Sequence, residues 1–193
     1  MTATLPDAEL CFTIGQHGAH WVSNALAVIA TVSALGGDLA VAGLALAELE
    51  GMSGRGARYT VKAGTGTALV IDESYNANAV SMAATFEVLG NEAANRHIAV
   101  LGEMGELGDA SEELHRSLAG PLLAAKPDFV LLVGPAMRPL AEVLKGHVEM
   151  HHVTDAATAA DQMLSIISPG DAVLVKGSNY VGMAAVVSAL RNA

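Results

Sequence analysis

The sequence predicts an α/β fold: a mostly parallel sheet with helices on both faces. Apolar runs rich in branched side chains recur at 67–71, 97–101, 128–133 and 172–175. Segments with helical spacing of apolar positions separate them. Short apolar runs bounded by turn residues are how strands buried on both faces of a parallel sheet read. Their alternation with helices implies βαβ crossovers. Strand order is not readable from one sequence.

Residues 8–14 read as a strand, followed by a loop from Gly15 to His20. Apolar positions then run with helical character from Trp21 to Leu35 and stop at Gly36-Gly37, a C-terminal cap signal. Asp38 is the N-cap residue for a second helix reaching Glu50. One strand and two helices do not easily bury their apolar faces alone, so residues 1–50 look like the edge of a larger domain. The glycines of Gly51-Met52-Ser53-Gly54-Arg55-Gly56 loosen the backbone and mark a hinge over 51–57, with the second domain at 58–193. There, 59–63 and 67–72 around Gly64-Thr65-Gly66 read as a β-hairpin. Helices are expected from about 80 to 89, 110–125, 137–145, 155–167 and 180–191, with strands at 97–101, 128–133, 147–153 and 172–175.

Composition narrows the function classes. A formal charge of −10 over 193 residues argues against nucleic acid or an anionic membrane as the main partner. No apolar run reaches the roughly 18 residues that a membrane span needs, and the first residues lack a signal-peptide pattern. Cys11 is the only cysteine, which excludes an internal disulfide and fits a reducing cytoplasm. No metal site is expected: there is no H-E-x-x-H, and His151 and His152, adjacent on a strand, point to opposite faces. His115 is expected on an exposed helix surface.

If the strands are parallel, the residues after each strand share one rim, where ligands of open α/β sheets bind. Here the rim is polar. Asp72-Glu73-Ser74-Tyr75-Asn76-Ala77-Asn78 follows one strand, Gly102-Glu103-Met104-Gly105-Glu106-Leu107-Gly108 another, and Lys176-Gly177-Ser178-Asn179-Tyr180 the last. Asn78 reads either as a ligand group or as a helix N-cap. Lys176 reads either as a point charge for phosphate or carboxylate, with Gly177 admitting a ligand to the backbone, or as a lysine snorkelling from a strand end. Glu103 and Glu106 read either as site residues or as loop solubilisers. Arg55, on the hinge, can carry charge to a phosphate as domains close. No G-x-x-x-x-G-K-[ST] phosphate loop, G-x-G-x-x-G fingerprint or G-x-S-x-G elbow occurs.

Taken together, these motifs resemble the Mur ligases of peptidoglycan synthesis. Gly18-Ala19-His20-Trp21-Val22-Ser23-Asn24-Ala25-Leu26-Ala27 is similar to the family's G-x-H-x-x-x-N-x-L-A segment, and Gly54-Arg55-Gly56 to its arginine at the domain junction. Ile71-Asp72-Glu73-Ser74-Tyr75-Asn76-Ala77-Asn78 resembles I-D-D-S-Y-N-A-N, with Glu73 at the second aspartate. Val100-Leu101-Gly102-Glu103-Met104-Gly105-Glu106-Leu107-Gly108 resembles V-L-G-D-M-x-E-L-G, and Lys176-Gly177-Ser178 a closing K-G-S. The resemblance is strongest to the branch joining D-alanyl-D-alanine to UDP-N-acetylmuramoyl-tripeptide with ATP and Mg2+, through an acyl phosphate.

It implies a Rossmann-like C-terminal domain preceded by a strand-helix-helix remnant of the central ATP-binding domain. It also implies His20 and Asn24 near the adenine, Arg55 at the phosphates, Asp72 at the ribose and Asn76 beside the nucleotide. Ser74, Asn78, Lys176 and Ser178 would lie on the substrate side, with Arg55 and Lys176 the catalytic pair. The phosphate-loop half of the central domain is absent. The resemblance therefore implies a C-terminal portion, inactive alone, with ATP and Mg2+ bound mainly by missing parts that another chain is able to supply. The alternative is a non-enzymatic Rossmann-like module binding a nucleotide or a protein.

Overall fold

The computed structural model describes all residues except Asp7 and His17, and of Ala19 and His20 the backbone only. The chain divides into two compact units, Met1–Gly51 and Met52–Ala193.

In the first unit the expected strand at 8–14 is instead the second arm of a hairpin. β1 (Thr2–Thr4) pairs antiparallel with β2 (Glu9–Cys11), Phe12 still exchanges backbone hydrogen bonds with Met1, and residues 13–14 leave the ladder. Three-residue strands carry too little periodicity to be read in advance. α1 (Ala19–Ala34) and α2 (Leu39–Ala47) follow. The Asp38 carboxylate accepts from the N–H groups of Ala40 and Val41, the cap its position predicts, but α2 ends before Glu50. The core is small: Ala3, Phe12, Ala25, Ile29 and Leu46. Leu26, Val28, Leu35, Val41 and Leu44 are exposed.

The second unit is built on a six-stranded sheet of order β3-β4-β8-β5-β6-β7. The hairpin β3 (Ala57–Ala63) and β4 (Gly66–Glu73) is antiparallel. β4, β8 (Asp171–Lys176), β5 (Arg96–Gly102), β6 (Phe129–Val133) and β7 (Glu149–Val153) run parallel. Alternate residues of each strand face opposite layers. Val70, Ile98, Val100, Leu131, Val173 and Val175 pack under α7 (Ala156–Ile166) and α8 (Ala184–Arg191). Ile71, Ala99, Leu101, Val130, Leu132 and Leu174 pack under α3 (Ala79–Gly90), α4 (Ser111–Ser117), α5 (Ala119–Ala124) and α6 (Arg138–Leu144). The α3 side chains Met82, Phe86 and Leu89 are fully buried; each contributes roughly 1.5–3 kcal/mol.

Two expectations are corrected. The helix foreseen over 110–125 is a short 3-10 turn at Gly108–Ala110 followed by α4 and α5, which meet at Leu118. His115, in α4, faces inward: it is 0% exposed rather than on the helix surface. The glycines at 54–56 of the expected hinge lie in a turn bonded to the second unit rather than in loose backbone. The Arg55 N–H donates to Met52 O (2.8 Å) and the Gly56 N–H to Asp72 O (2.9 Å). Gly54, at φ +76°, lies so close to Tyr75 that a Cβ there would sit 2.9 Å from the Tyr75 Cβ. Its glycine serves close approach, not looseness.

Candidate functional site

The parallel strands put the ends of β4, β8 and β5 side by side, with Glu73 opposite Lys176 and Lys176 opposite Leu101. The chain leaves β4 and β5 for the helices of one face and β8 for α8 on the other. A crevice at such a divergence is where open α/β sheets bind ligands.

Asp72 organises the first loop. It is 2% exposed. Its Oδ2 accepts from the Gly54 N–H (2.8 Å) and, more weakly, from Ser53 Oγ (3.5 Å). Its Oδ1 accepts from the Ser74 N–H (3.1 Å) and Ser74 Oγ (2.6 Å). A carboxylate has about four lone-pair sites, so this one is filled from within the chain. Asp72 therefore ties the Arg55 turn to the end of β4, and Ser74, 4% exposed, belongs to the same knot. Arg55 itself is exposed, its guanidinium carbon 4.2 Å from the centre of the Tyr75 ring; stacking of this kind orients the cation without neutralising it. Asn76 is exposed, its Oδ1 accepting from the Ala77 N–H. Asn78 is the N-cap of α3, bonded reciprocally with Ser81 in a capping box. Of its two readings, the cap is the one its side chain occupies.

Lys176 is buried at 2% exposure. Its Nζ donates to Asn76 O (2.9 Å) and lies 3.7 Å from Glu73 Oε2. Burial lowers the Lys176 ammonium below its ordinary value and raises the Glu73 carboxyl, each opposed by the other's charge. Lys176 is thus a buried point charge, not a snorkelling side chain. Gly177 admits no ligand here: a Cβ would fall 2.6 Å from Met183 Cγ and 3.0 Å from Gly102 Cα, so it serves strand packing.

A second knot joins β5 and β8. Glu103, 7% exposed, accepts at Oε1 from the Ala136 N–H and at Oε2 from the Tyr180 hydroxyl (2.8 Å). The Tyr180 ring is largely exposed, but partial burial of its hydroxyl, then the bond to Glu103 and that group's charge, push its pKa up to about 12. Ser178 is 4% exposed, its N–H donating to Glu103 O (2.9 Å) and its Oγ accepting from the Gly105 N–H (2.7 Å). Behind the loop, His115 Nε2 accepts from the Met104 N–H (2.9 Å) while Nδ1 faces Ser111 O (2.7 Å). Those partners require the neutral ring with its proton on Nδ1. Glu106 is exposed at φ +61°, a left-handed conformation for a non-glycine residue.

The structure therefore brings Arg55, Asp72, Ser74, Asn76, Lys176 and Ser178 to one rim. Asn24 is an exposed residue of α1 in the first unit, and the His20 side chain lies outside the described residues. Sequence reasoning did not mark Glu73, Tyr75 and Tyr180 as partners of these groups, although all three sit inside the quoted motifs. Among the described residues, no group of three or more His, Cys, Asp or Glu is placed to hold a metal ion. No helix among them is long and apolar enough to cross a membrane.

Residues 57–179 match the model of the Mur ligase, glutamate ligase domain. The chain belongs to the Mur ligase family. Among curated relatives, the UDP-N-acetylmuramoyl-tripeptide–D-alanyl-D-alanine ligase of Synechocystis is 36% identical over 90% of this chain and 37% of its own length. Crystal structure II of MurF from Acinetobacter baumannii matches the whole chain and 42% of its own at a TM-score of 0.85 and 28% identity. The MurF ligase of Thermotoga maritima, solved in complex with ADP, shares the fold at a TM-score of 0.76 and 23% identity. This Mur ligase chain spans about two fifths of the length of the relatives it matches. The matched region contains the Asp72, Glu103 and Lys176 loops and excludes Arg55.

Proposed function

We propose that the chain is the ligase-domain portion of MurF, the enzyme that joins D-alanyl-D-alanine to UDP-N-acetylmuramoyl-tripeptide. In that reaction the tripeptide carboxylate takes the γ-phosphoryl group of ATP, releasing ADP. The dipeptide amine then attacks the acyl carbon, and phosphate leaves. The observation that carries the reading is the rim itself, with an exposed arginine (Arg55) on a turn bonded to the end of β4 and a buried lysine (Lys176) at the end of the neighbouring β8. Likeness to the Synechocystis and Acinetobacter ligases supports the choice of substrate.

In this reading Arg55 meets the phosphates, where a preorganised cation is most effective as charge moves toward the leaving ADP. Asn76 offers an exposed amide beside the nucleotide. Asp72, its carboxylate filled, acts by holding the Arg55 turn and Ser74 in place rather than by touching the ribose. Lys176 and Ser178 receive the dipeptide, and Asn78 serves the start of α3. With no phosphate loop in the chain, we assign the main ATP and Mg2+ contacts, including those near His20 and Asn24, to the closed ligase. The chain alone then leaves phosphoryl transfer without the positioning it depends on. Activity on a nucleotide-linked precursor with ATP places it in the cytoplasm.

A hybrid tests this: residues 52–193 replace the matching part of the Synechocystis ligase, and ADP release is followed with both substrates. The hybrid should turn over, lose at least about 100-fold in kcat/KM on Arg55→Ala, a loss typical of a transition-state charge contact, and raise the KM for dipeptide on Lys176→Met. The 193-residue chain alone should stay at background. A folded hybrid indifferent to both substitutions refutes the proposal, and a tight complex with a protein partner and no ligand binding favours the binding-module alternative.

A further inference from the structure

Lys176 is held in an unusual way for a buried cation. Its ammonium has three donors, yet the carboxylate facing it stands 3.7 Å away, an ion pair without a hydrogen bond. Both side chains are largely withdrawn from water, at 3% exposure for Lys176 and 15% for Glu73. The parallel register of β4 and β8 sets them opposite one another at the carboxyl ends of the two strands. The charged groups acting on the pair are Asp72, on the same strand as Glu73, and Arg55, on the turn before β3. Asp72 is already filled by four donors, and Arg55 is turned onto the Tyr75 ring. Glu73 is therefore the one carboxylate at this rim whose charge serves Lys176, and it serves it at arm's length.

We propose that Glu73 is an internal counter-ion that keeps Lys176 charged in the empty site and yields it to the carboxylate of the incoming dipeptide. The inference rests on the reading of Lys176 given above. A ligand carboxylate at hydrogen-bonding distance makes the bonds that Glu73 does not. Its arrival also sets a second negative charge beside Glu73, which opposes binding until Glu73 moves away or takes up a proton. Glu73 thereby sets how tightly the site holds an anion and makes that grip depend on pH. It is a positioning residue, not one that touches the reacting atoms.

The test is calorimetric titration of the 193-residue chain with D-alanyl-D-alanine and with its C-terminal amide, which lacks the carboxylate. Glu73→Gln should tighten binding of the acid on the order of tenfold, the scale on which one neighbouring charge moves a partly buried equilibrium. The amide should be unaffected. In the unsubstituted chain the affinity for the acid should rise as pH is lowered from 7 to 5, because protonation of Glu73 removes the competitor; the Glu73→Gln profile should be flat. Glu73→Asp, whose charge is withdrawn from Nζ, should lie between the two and covers the case in which Gln disturbs the loop. An acid-over-amide preference left unchanged or weakened by Glu73→Gln overturns the inference alone. Loss of that preference in both proteins overturns the reading of Lys176 and the inference with it.

Discussion

Replacing Asp72 by alanine should cost the second unit about 3–5 kcal/mol. Three short bonds converge on the carboxylate: from Gly54 N at 2.8 Å, Ser74 N at 3.1 Å and Ser74 Oγ at 2.6 Å. A hydrogen bond to a charged group is worth about 1.5–3 kcal/mol net, and a buried donor left without a partner costs about 1–3 kcal/mol. The sum is reduced because the alanine chain no longer desolvates a carboxylate and because Ser74 can turn its hydroxyl elsewhere. Asn at 72 keeps one acceptor and turns an amide donor toward another, so about half the loss should remain. Urea unfolding followed by circular dichroism measures it. A Asp72→Ala loss under about 1 kcal/mol, or equal losses for Ala and Asn, would refute the account of a filled carboxylate.

Two further outcomes follow from the same rim. Glu103→Gln should bring the Tyr180 pKa down from about 12 toward its ordinary value, since it removes the charge facing the hydroxyl; difference absorbance of tyrosinate against pH reads it. Lys176 is lowered from an ordinary value of 10.5 by burial, so below that pH the folded chain releases this proton before the unfolded chain does. Stability should then gain a contribution that is complete above pH 10.5 and is lost as pH falls through the folded-state value; Lys176→Met should remove the rise, and a rise that persists in the variant would assign it elsewhere.

Much of the scaffold was legible because it follows from period and punctuation. The apolar runs at 97–101 and 172–175 became central strands, Gly64-Thr65-Gly66 a hairpin turn, and Asp38 a helix cap. What was not legible depends on tertiary neighbours. Nothing local marks His115 as buried, since its partner is the Met104 N–H of a loop that only the fold brings against α4. The pairing of Glu73 with Lys176 needs β8 to lie between β4 and β5, and strand order leaves no trace in a single sequence. Asp72 was visible as chemistry, but its donors come from a turn 18 residues earlier as well as from its own loop, so its role was hidden. The glycines misled for a related reason: Gly54 and Gly177 are small because Tyr75 and Met183 press on them.

The contrast between the two ends of β8 supports the proposal that the rim is a site rather than a polar edge. At its start Asp171, 2% exposed, receives both Arg96 Nε (2.9 Å) and Arg96 Nη2 (2.6 Å), and also the Ser168 N–H (2.8 Å). That is how a buried charge is held when stability is the only requirement: a planar fork on both oxygens, with a backbone donor beside it. At its end, five residues along the strand, Lys176 is as deeply buried but has one hydrogen bond and a counter-ion at 3.7 Å. The same strand and sheet neighbours satisfy one charge fully and leave the other under-bonded. A fold able to build the first arrangement gains nothing in stability from the second, because burying an ion with incomplete partners costs free energy. The incomplete arrangement is intelligible when the missing bonds come from a ligand, and it stands at the carboxyl ends of the parallel strands, where the chain diverges to the two faces and open α/β sheets bind ligands.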